Sequence, residues 1–235
     1  MKTSTREHQQ TWQLPFEEEP VSQSGTEFLA EGAVLLRRFA KAEEIPLLEA
    51  VSRIAEAAPF RHMSVRGGFK MSVAMTNCGH LGWVSDENGY RYDSIDPVSG
   101  QRWPAMPSLF DQLAASAAAT AGFPDFHTDA CLINRYLPGA QMGLHQDKNE
   151  IDMEAPIVSV SLGLPATFLF GGLRRSITPQ RMRLVSGDVV VWGGPARLAY
   201  HGVAKLAAGH HPLTGESRIN LTFRRAGQPN SKQPA

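Results

Sequence analysis

The sequence predicts a mainly β fold of the α+β type, a double-stranded β-helix (jelly roll) with helices ahead of it packed on one sheet. Three observations carry this reading. From Ala130 onward, short strand-like runs recur at about 131–137, 143–147, 157–164, 167–170, 181–185, 188–192 and 218–225. Turn dipeptides Pro138-Gly139, Gly171-Gly172, Ser186-Gly187 and Gly193-Gly194 separate them. Two helical segments come first, and many short strands behind two helices fit two packed sheets with helices on one side.

The chain has 235 residues, 42% hydrophobic and 20% charged, which suits one domain with a substantial core. Residues 1–28 and 227–235 are rich in Gln, Ser, Glu, Pro and Lys and are expected to be loose, leaving 29–226 as the domain. A strand is expected at Ala33–Phe39. A helix follows from about Ala42 to Ala58, with Ile45, Leu48, Val51 and Ile54 at helical spacing and Pro59 ending it. Residues 60–103 turn to Gly, Ser, Met, Asn and aromatics, punctuated by Gly67-Gly68, Asn88-Gly89 and Ser99-Gly100, and read as short hairpins and loops. Pro107–Ala121 is Ala-rich and forms the second helix, closed by Gly122 and Pro124. The jelly-roll core is placed at 130–226.

Charge and cysteine usage narrow the function. Lys and Arg number 23 against 23 Asp and Glu, so no bulk field draws the chain to polyanions or anionic membranes, and nucleic-acid contact must come from local patches. Cys78 and Cys131 have no second cysteine at ligand spacing, which argues against a disulfide framework or a zinc knuckle and for a reducing compartment. The N-terminal segment lacks the apolar run of a signal peptide, and no stretch reaches transmembrane length. A cytoplasmic protein with no membrane partner is expected.

His145-Gln146-Asp147 lies in a short extended segment, so its imidazole and carboxylate share a face. Two His and one carboxylate on one side of a metal are what iron(II) favours when oxygen must bind opposite, and His201 is the candidate third ligand. Taken alone, His-x-Asp also reads as a chance pair on a solvated strand edge. Arg218-Ile219-Asn220-Leu221-Thr222-Phe223-Arg224 alternates strictly, with Ile, Leu and Phe on one face and two guanidinium groups on the other. An edge strand with a solvated basic face would give that pattern. So would a strand lining a dicarboxylate pocket, since an Arg fork matches a carboxylate through two bonds. 2-Oxoglutarate needs a metal for its keto-acid end and a fixed cation for its far carboxylate. Asn134 and Tyr136, on one face of a further strand, can add uncharged hydrogen bonds, or can be a polar cross-strand pair and a packing aromatic.

Together, Asn134-Arg135-Tyr136, His145-Gln146-Asp147, His201 and the Arg218–Arg224 run resemble the signature of the AlkB family of DNA and RNA repair dioxygenases. The resemblance extends through Met71–Trp83, Ile157–Pro165 and Asp188–Gly194, covering about residues 30–226. It implies iron(II) on His145, Asp147 and His201. It implies 2-oxoglutarate with its carboxylate ends on Arg218 and Arg224, the distal end expected on Arg224, with Asn134, Tyr136 and Asn220 alongside. O2 would be the second cosubstrate, succinate and CO2 the by-products, and the alkyl group of a damaged base would leave as formaldehyde. Residues 60–103 would form a nucleotide-recognition lid in which Trp83 and Tyr90 stack on a base flipped against His145. Met75, Asn149 and Arg175 would also touch substrate, with Arg174 and Lys148 as further phosphate contacts. The implied partner is alkylated DNA, single- or double-stranded, with RNA a further candidate, and the chain would act as a monomer. Two departures bear on substrate preference: Asn149 stands where the family's bacterial members carry Asp, and Val65-Arg66 where a Thr-Pro pair is expected. A same-fold oxygenase acting on a protein or small molecule, and a non-catalytic binding module, are the rival readings.

Overall fold

Polar and apolar residues that alternate along one strand demand a sheet whose two faces meet different surroundings. The computed structural model describes residues 24–65 and 67–227. In chain order it contains β1 (Gly25–Ala30), β2 (Ala33–Arg37), α1 (Glu44–Ala57), β3 (Arg61–Ser64), β4 (Lys70–Gly79), β5 (Gly82–Asp86), β6 (Gly89–Asp93) and α2 (Ser108–Thr120). These are followed by β7 (Ala130–Tyr136), β8 (Met142–His145), β9 (Ile157–Gly163), β10 (Ala166–Phe170), β11 (Gln180–Leu184), β12 (Val189–Trp192), β13 (His201–Val203) and β14 (Arg218–Arg224). Eight strands form the main sheet in the order β1-β2-β12-β9-β14-β7-β4-β3, four form a second sheet in the order β11-β10-β13-β8, and β5-β6 is a separate hairpin. Both larger sheets are open.

Strand β14 lies between β9 and β7, not at an edge. Its Ile219, Leu221 and Phe223 point to the helices, joining Val158 and Val160 of β9, Val189 and Val191 of β12, and Leu47, Val51 and Ile54 of α1 in one apolar core. The α2 side chain Phe110 meets Phe223 edge-on, with ring centroids 5.6 Å apart. On the opposite face, Leu35, Leu132, Val190 and Trp192 pack against Phe168, Phe170, Leu184 and Val203 of the second sheet. Arg218, Asn220, Thr222 and Arg224 belong to this inner face, where all four are buried. The register sets Arg218 opposite Tyr136 and Asn220 opposite Asn134. A solvated basic edge is thereby excluded.

The differences from expectation are local. Strand β1 begins at Gly25, inside the segment expected to be loose, and pairs antiparallel with β2 from Gly25 to Ala30, with a register shift between Phe28 and Ala30. Strand β4 is a ten-residue member of the main sheet where short hairpins were expected, so only part of 60–103 stands apart from the sheet. The α1 stripe is Leu47, Val51 and Ile54, while Ile45 is exposed. The remaining parts of the expected loose ends, 1–23 and 228–235, and Arg66 lie outside the described residues.

Candidate active site

Strand pairing builds the cluster of candidate metal ligands. His145 ends β8, His201 opens β13, and the two are direct cross-strand partners, with imidazole centroids 4.4 Å apart. Residue 202 must be glycine for this approach, because a Cβ there would lie 2.7 Å from the Met142 carbonyl oxygen. Asp147 follows two residues past His145, and one ligand atom from each of the three residues lies within 4.8 Å of the others. The Nε2 atoms of His145 and His201 stand 3.6 and 3.8 Å from the Asp147 carboxylate oxygens. Each Nδ1 donates to the carbonyl two residues back along the chain, Gly143 at 2.8 Å and Ala199 at 3.0 Å. That bond fixes the tautomer and turns the Nε2 lone pair toward the cluster, as a metal-binding histidine requires. Burial, helped by neighbouring His145, lowers the His201 pKa to about 4, so its imidazole is neutral at physiological pH. Burial alone would raise the Asp147 carboxyl, but Arg224 and the two imidazoles outweigh it and hold it well below the usual carboxylate range.

Deeper between the sheets lies a cavity whose walls include Asn134, Tyr136, Arg218, Asn220 and Arg224. Arg218 is 1% exposed; its Nη2 donates to Ser161 Oγ at 3.0 Å and its guanidinium lies 5.0 Å from the centre of the Tyr136 ring. Among the described residues its Nε and Nη1 have no partner. A buried cation with two idle donors is costly unless an anion completes it, and a carboxylate fits that need. Asn134 presents an unpartnered buried Oδ1 to the same region while its Nδ2 donates to Asn220 Oδ1 at 3.3 Å. Asn220 is committed to protein partners: its Nδ2 donates to Ser159 Oγ and the Val160 carbonyl at 2.8 and 3.0 Å, and its Oδ1 accepts from Thr222 at 2.9 Å. It holds Asn134 in place.

Arg224 differs from the expectation. Its Nη2 and Nε donate to the same Asp147 oxygen at 2.5 and 2.9 Å, and its Nε lies 3.3 Å from Glu150 Oε1. It stands beside the candidate ligand Asp147, so of the two arginines Arg218 is the one with donors left for a carboxylate among the described residues. These residues together fit a metal on His145, Asp147 and His201 and a dicarboxylate in the cavity that Arg218 lines.

A second cavity, of about 200 Å³, opens on the same cluster and shares Leu132, Met142, His145 and Arg224 with the first. Its further walls include Met71, Met75, Trp83, Tyr90 and Asn149. Trp83 and Tyr90 stack across the β5-β6 hairpin with ring centroids 5.5 Å apart and planes 17° from parallel. Buried Asn77 of β4 grips the Trp83 backbone from both sides, donating to its carbonyl and accepting from its N–H, each at 3.0 Å. Lys148, Arg174 and Arg175 are exposed, and none of them lines either cavity.

Sequence reasoning missed Tyr92, Glu150 and Arg197. Arg197 is 4% exposed and donates to the Asp147 carbonyl at 2.8 Å, the Ala155 carbonyl at 2.9 Å and Glu150 Oε2 at 3.2 Å. Tyr92 donates to Glu150 Oε1 at 2.7 Å. These partners lie 42 to 58 positions apart, and Glu150 sits in a charged stretch that reads as solvated, so no local signal marks them.

Two imidazoles and one carboxylate on one side of a point are the ligand set of non-haem iron(II) oxygenases, and the idle donors of Arg218 fit a carboxylate such as the far end of a 2-oxoacid cosubstrate. Comparison with known proteins agrees. The sequence profile of the 2OG-Fe(II) oxygenase superfamily matches residues 32–224. The α-ketoglutarate-dependent dioxygenase AlkB of Escherichia coli strain K12 is 58% identical over 200 residues, 85% of this chain and 93% of that protein. The human nucleic acid dioxygenase ALKBH1 is 36% identical over 126 residues, 54% of this chain and 32% of that one. The solved structure of OsALKBH1 superposes with a TM-score of 0.77 at 30% identity, covering 86% of this chain and all of the other. The chain belongs to the 2OG-Fe(II) oxygenase superfamily and, within it, to the AlkB family. Its cofactor is iron(II) and its cosubstrates are 2-oxoglutarate and O2.

Proposed function

We propose that this protein removes alkyl groups from nucleic-acid bases by oxidation. One observation carries the reading: the 200 Å³ cavity beside the metal cluster is faced by the Trp83-Tyr90 stack and by His145, a slot suited to a planar base. The likeness to a dioxygenase AlkB and to a nucleic acid dioxygenase supports it.

His145, Asp147 and His201 would hold iron(II), and Arg218, with Tyr136 against its guanidinium and Asn134 nearby, would hold the distal carboxylate of 2-oxoglutarate. Iron(II) with 2-oxoglutarate and O2 supplies the oxidising chemistry, yielding succinate and CO2. The chain's own contribution is placement. Trp83 and Tyr90 against His145 hold the base so that its alkyl carbon faces the metal, and Met75, Leu132 and Met142 keep water from that point. Hydroxylation of a carbon bonded to a ring nitrogen leaves a group that falls away as formaldehyde. Alkylated DNA, single- or double-stranded, is the substrate proposed, with RNA read by the same slot. Asn149 would face the base edge, and Arg174, Arg175 and Lys148 would meet phosphates outside the cavities.

One chain supplies every residue named, in keeping with action as a monomer. No helix among the described residues is long and apolar enough to cross a membrane, and the free buried Cys78 and Cys131 suit the cytoplasm. A panel of oligonucleotides, each with one alkylated base, tests the proposal: restored base and formaldehyde are expected. Succinate formation that no alkylated oligonucleotide increases would favour a protein or small-molecule substrate.

A further inference from the structure

The β5-β6 hairpin and the metal-binding segment share a buried pair of charges. Glu150 lies three residues past Asp147, and its side chain is 2% exposed against 4% for Arg197. Arg197 enters from the loop after β12 and divides its donors between Glu150 Oε2 and the carbonyl oxygen of Asp147 itself. Tyr92 enters from β6 and closes on Glu150 Oε1. Within the hairpin, Tyr92 is the cross-strand partner of Trp83. A hydroxyl of the hairpin is therefore linked through one carboxylate and one guanidinium to the backbone of a candidate metal ligand.

From this geometry we infer that Tyr92, Glu150 and Arg197 form a brace coupling hairpin docking to the orientation of Asp147, so that each favours the other. The inference rests on the metal-centre reading above. Its physical basis is burial. Were the hairpin to lift, Glu150 would lose the Tyr92 hydroxyl where water cannot readily replace it, and the strain would fall on the charge pair that holds the Asp147 carbonyl. Desolvation keeps the Tyr92 phenol protonated well beyond its usual range, so it remains a donor at any working pH. The three are positioning residues, and none of them lines the 200 Å³ cavity.

Two-site coupling is reciprocal, which gives a test independent of turnover. Mn(II) is titrated into the metal-free protein by calorimetry, and amide exchange across residues 82–93 is followed with and without the ion. In the wild type, Mn(II) is expected to slow exchange of the hairpin by about tenfold, within the ordinary range of site-to-site coupling. In Tyr92→Phe, which keeps the ring, that slowing should vanish, and Mn(II) should bind correspondingly more weakly. Arg91→Gln removes the hairpin's Arg91–Asp86 ion pair of 2.9 Å without touching the brace. It should speed exchange in both states and leave the slowing by Mn(II) intact, which separates loosening from coupling. Glu150→Gln should behave as Tyr92→Phe does. Undiminished Mn(II)-dependent slowing in Tyr92→Phe or Glu150→Gln would overturn the brace while leaving the metal centre standing. Failure of the wild type to bind Mn(II) would overturn both.

Discussion

Arg224 and Asp147 form a buried ion pair in which two guanidinium nitrogens converge on one carboxylate oxygen, at 2.5 and 2.9 Å. The pair keeps a candidate metal ligand ionised in a site that would otherwise favour its neutral form, and a carboxylate must be ionised to bind metal. It also means that Asp147 supports the fold as well as the cluster.

Replacing Asp147 with Ala should therefore do two things. Turnover should be lost with the anionic ligand. The metal-free protein should also lose about 3 kcal/mol of stability, the lower end of the cost of stripping one partner from a buried pair, because Glu150 remains 3.3 Å from Arg224. Urea unfolding and succinate assays check both, and a variant with near-normal turnover would refute the metal triad.

Stability of the metal-free protein should fall in acid. The unfolded chain protonates His201 at its ordinary pKa of 6.5, whereas the folded protein does so only at about 4. Unfolding thus takes up a proton between these values, removing about 3 kcal/mol as pH falls from 6.5 to 4. Asp147, with its folded pKa depressed, adds a further loss below the ordinary carboxylate value of 3.8. Unfolding midpoints in urea, compared for wild type and His201→Gln, measure this; the variant should lack the step above pH 4.

Arg218→Lys should raise the KM for 2-oxoglutarate by roughly ten- to a hundredfold, since a charge-assisted bond is worth about 1.5–3 kcal/mol and an ammonium cannot reproduce the fork. The free Nε and Nη1 of Arg218 motivate this choice over Arg224, whose fork is taken by Asp147. An unchanged KM would put the distal carboxylate elsewhere.

Asn149→Asp should shift lesion preference. Asn149 is exposed and lines the base-sized cavity. N1-methyladenine and N3-methylcytosine carry positive charge, whereas etheno adducts and N1-methylguanine are largely neutral. A carboxylate here would favour the cationic group by up to about tenfold, the difference between a charged and a neutral hydrogen bond. The ratio of kcat/KM on matched single-stranded oligonucleotides measures it, and a constant ratio would mean that this position does not read base charge.

Much of this was legible because β14 repeats with period two and lies centrally, so its pattern reports both faces of the sheet at once. His145 and Asp147 were legible from their i, i+2 spacing in an extended segment, although β8 is an edge strand that ends at His145. His201 could be named, but not its three-residue strand, which is too short for periodicity and depends on Gly202 for its close approach to Met142. Strand β4 is buried from Val73 to Cys78 without alternation, so nothing local distinguished it from loop. Strand β1 follows a polar segment and is held by its pairing with β2 more than by its own composition. The roles of the two arginines, and the whole of Tyr92-Glu150-Arg197, depend on contacts between distant segments that no local pattern encodes.

The most direct measurement supplies iron(II), 2-oxoglutarate and O2 with an oligonucleotide carrying a single N3-methylcytosine, and counts succinate, formaldehyde and restored cytosine together. Equal amounts of all three are predicted. Succinate without restored cytosine, on this and every other alkylated base tried, would contradict a base-dealkylating function.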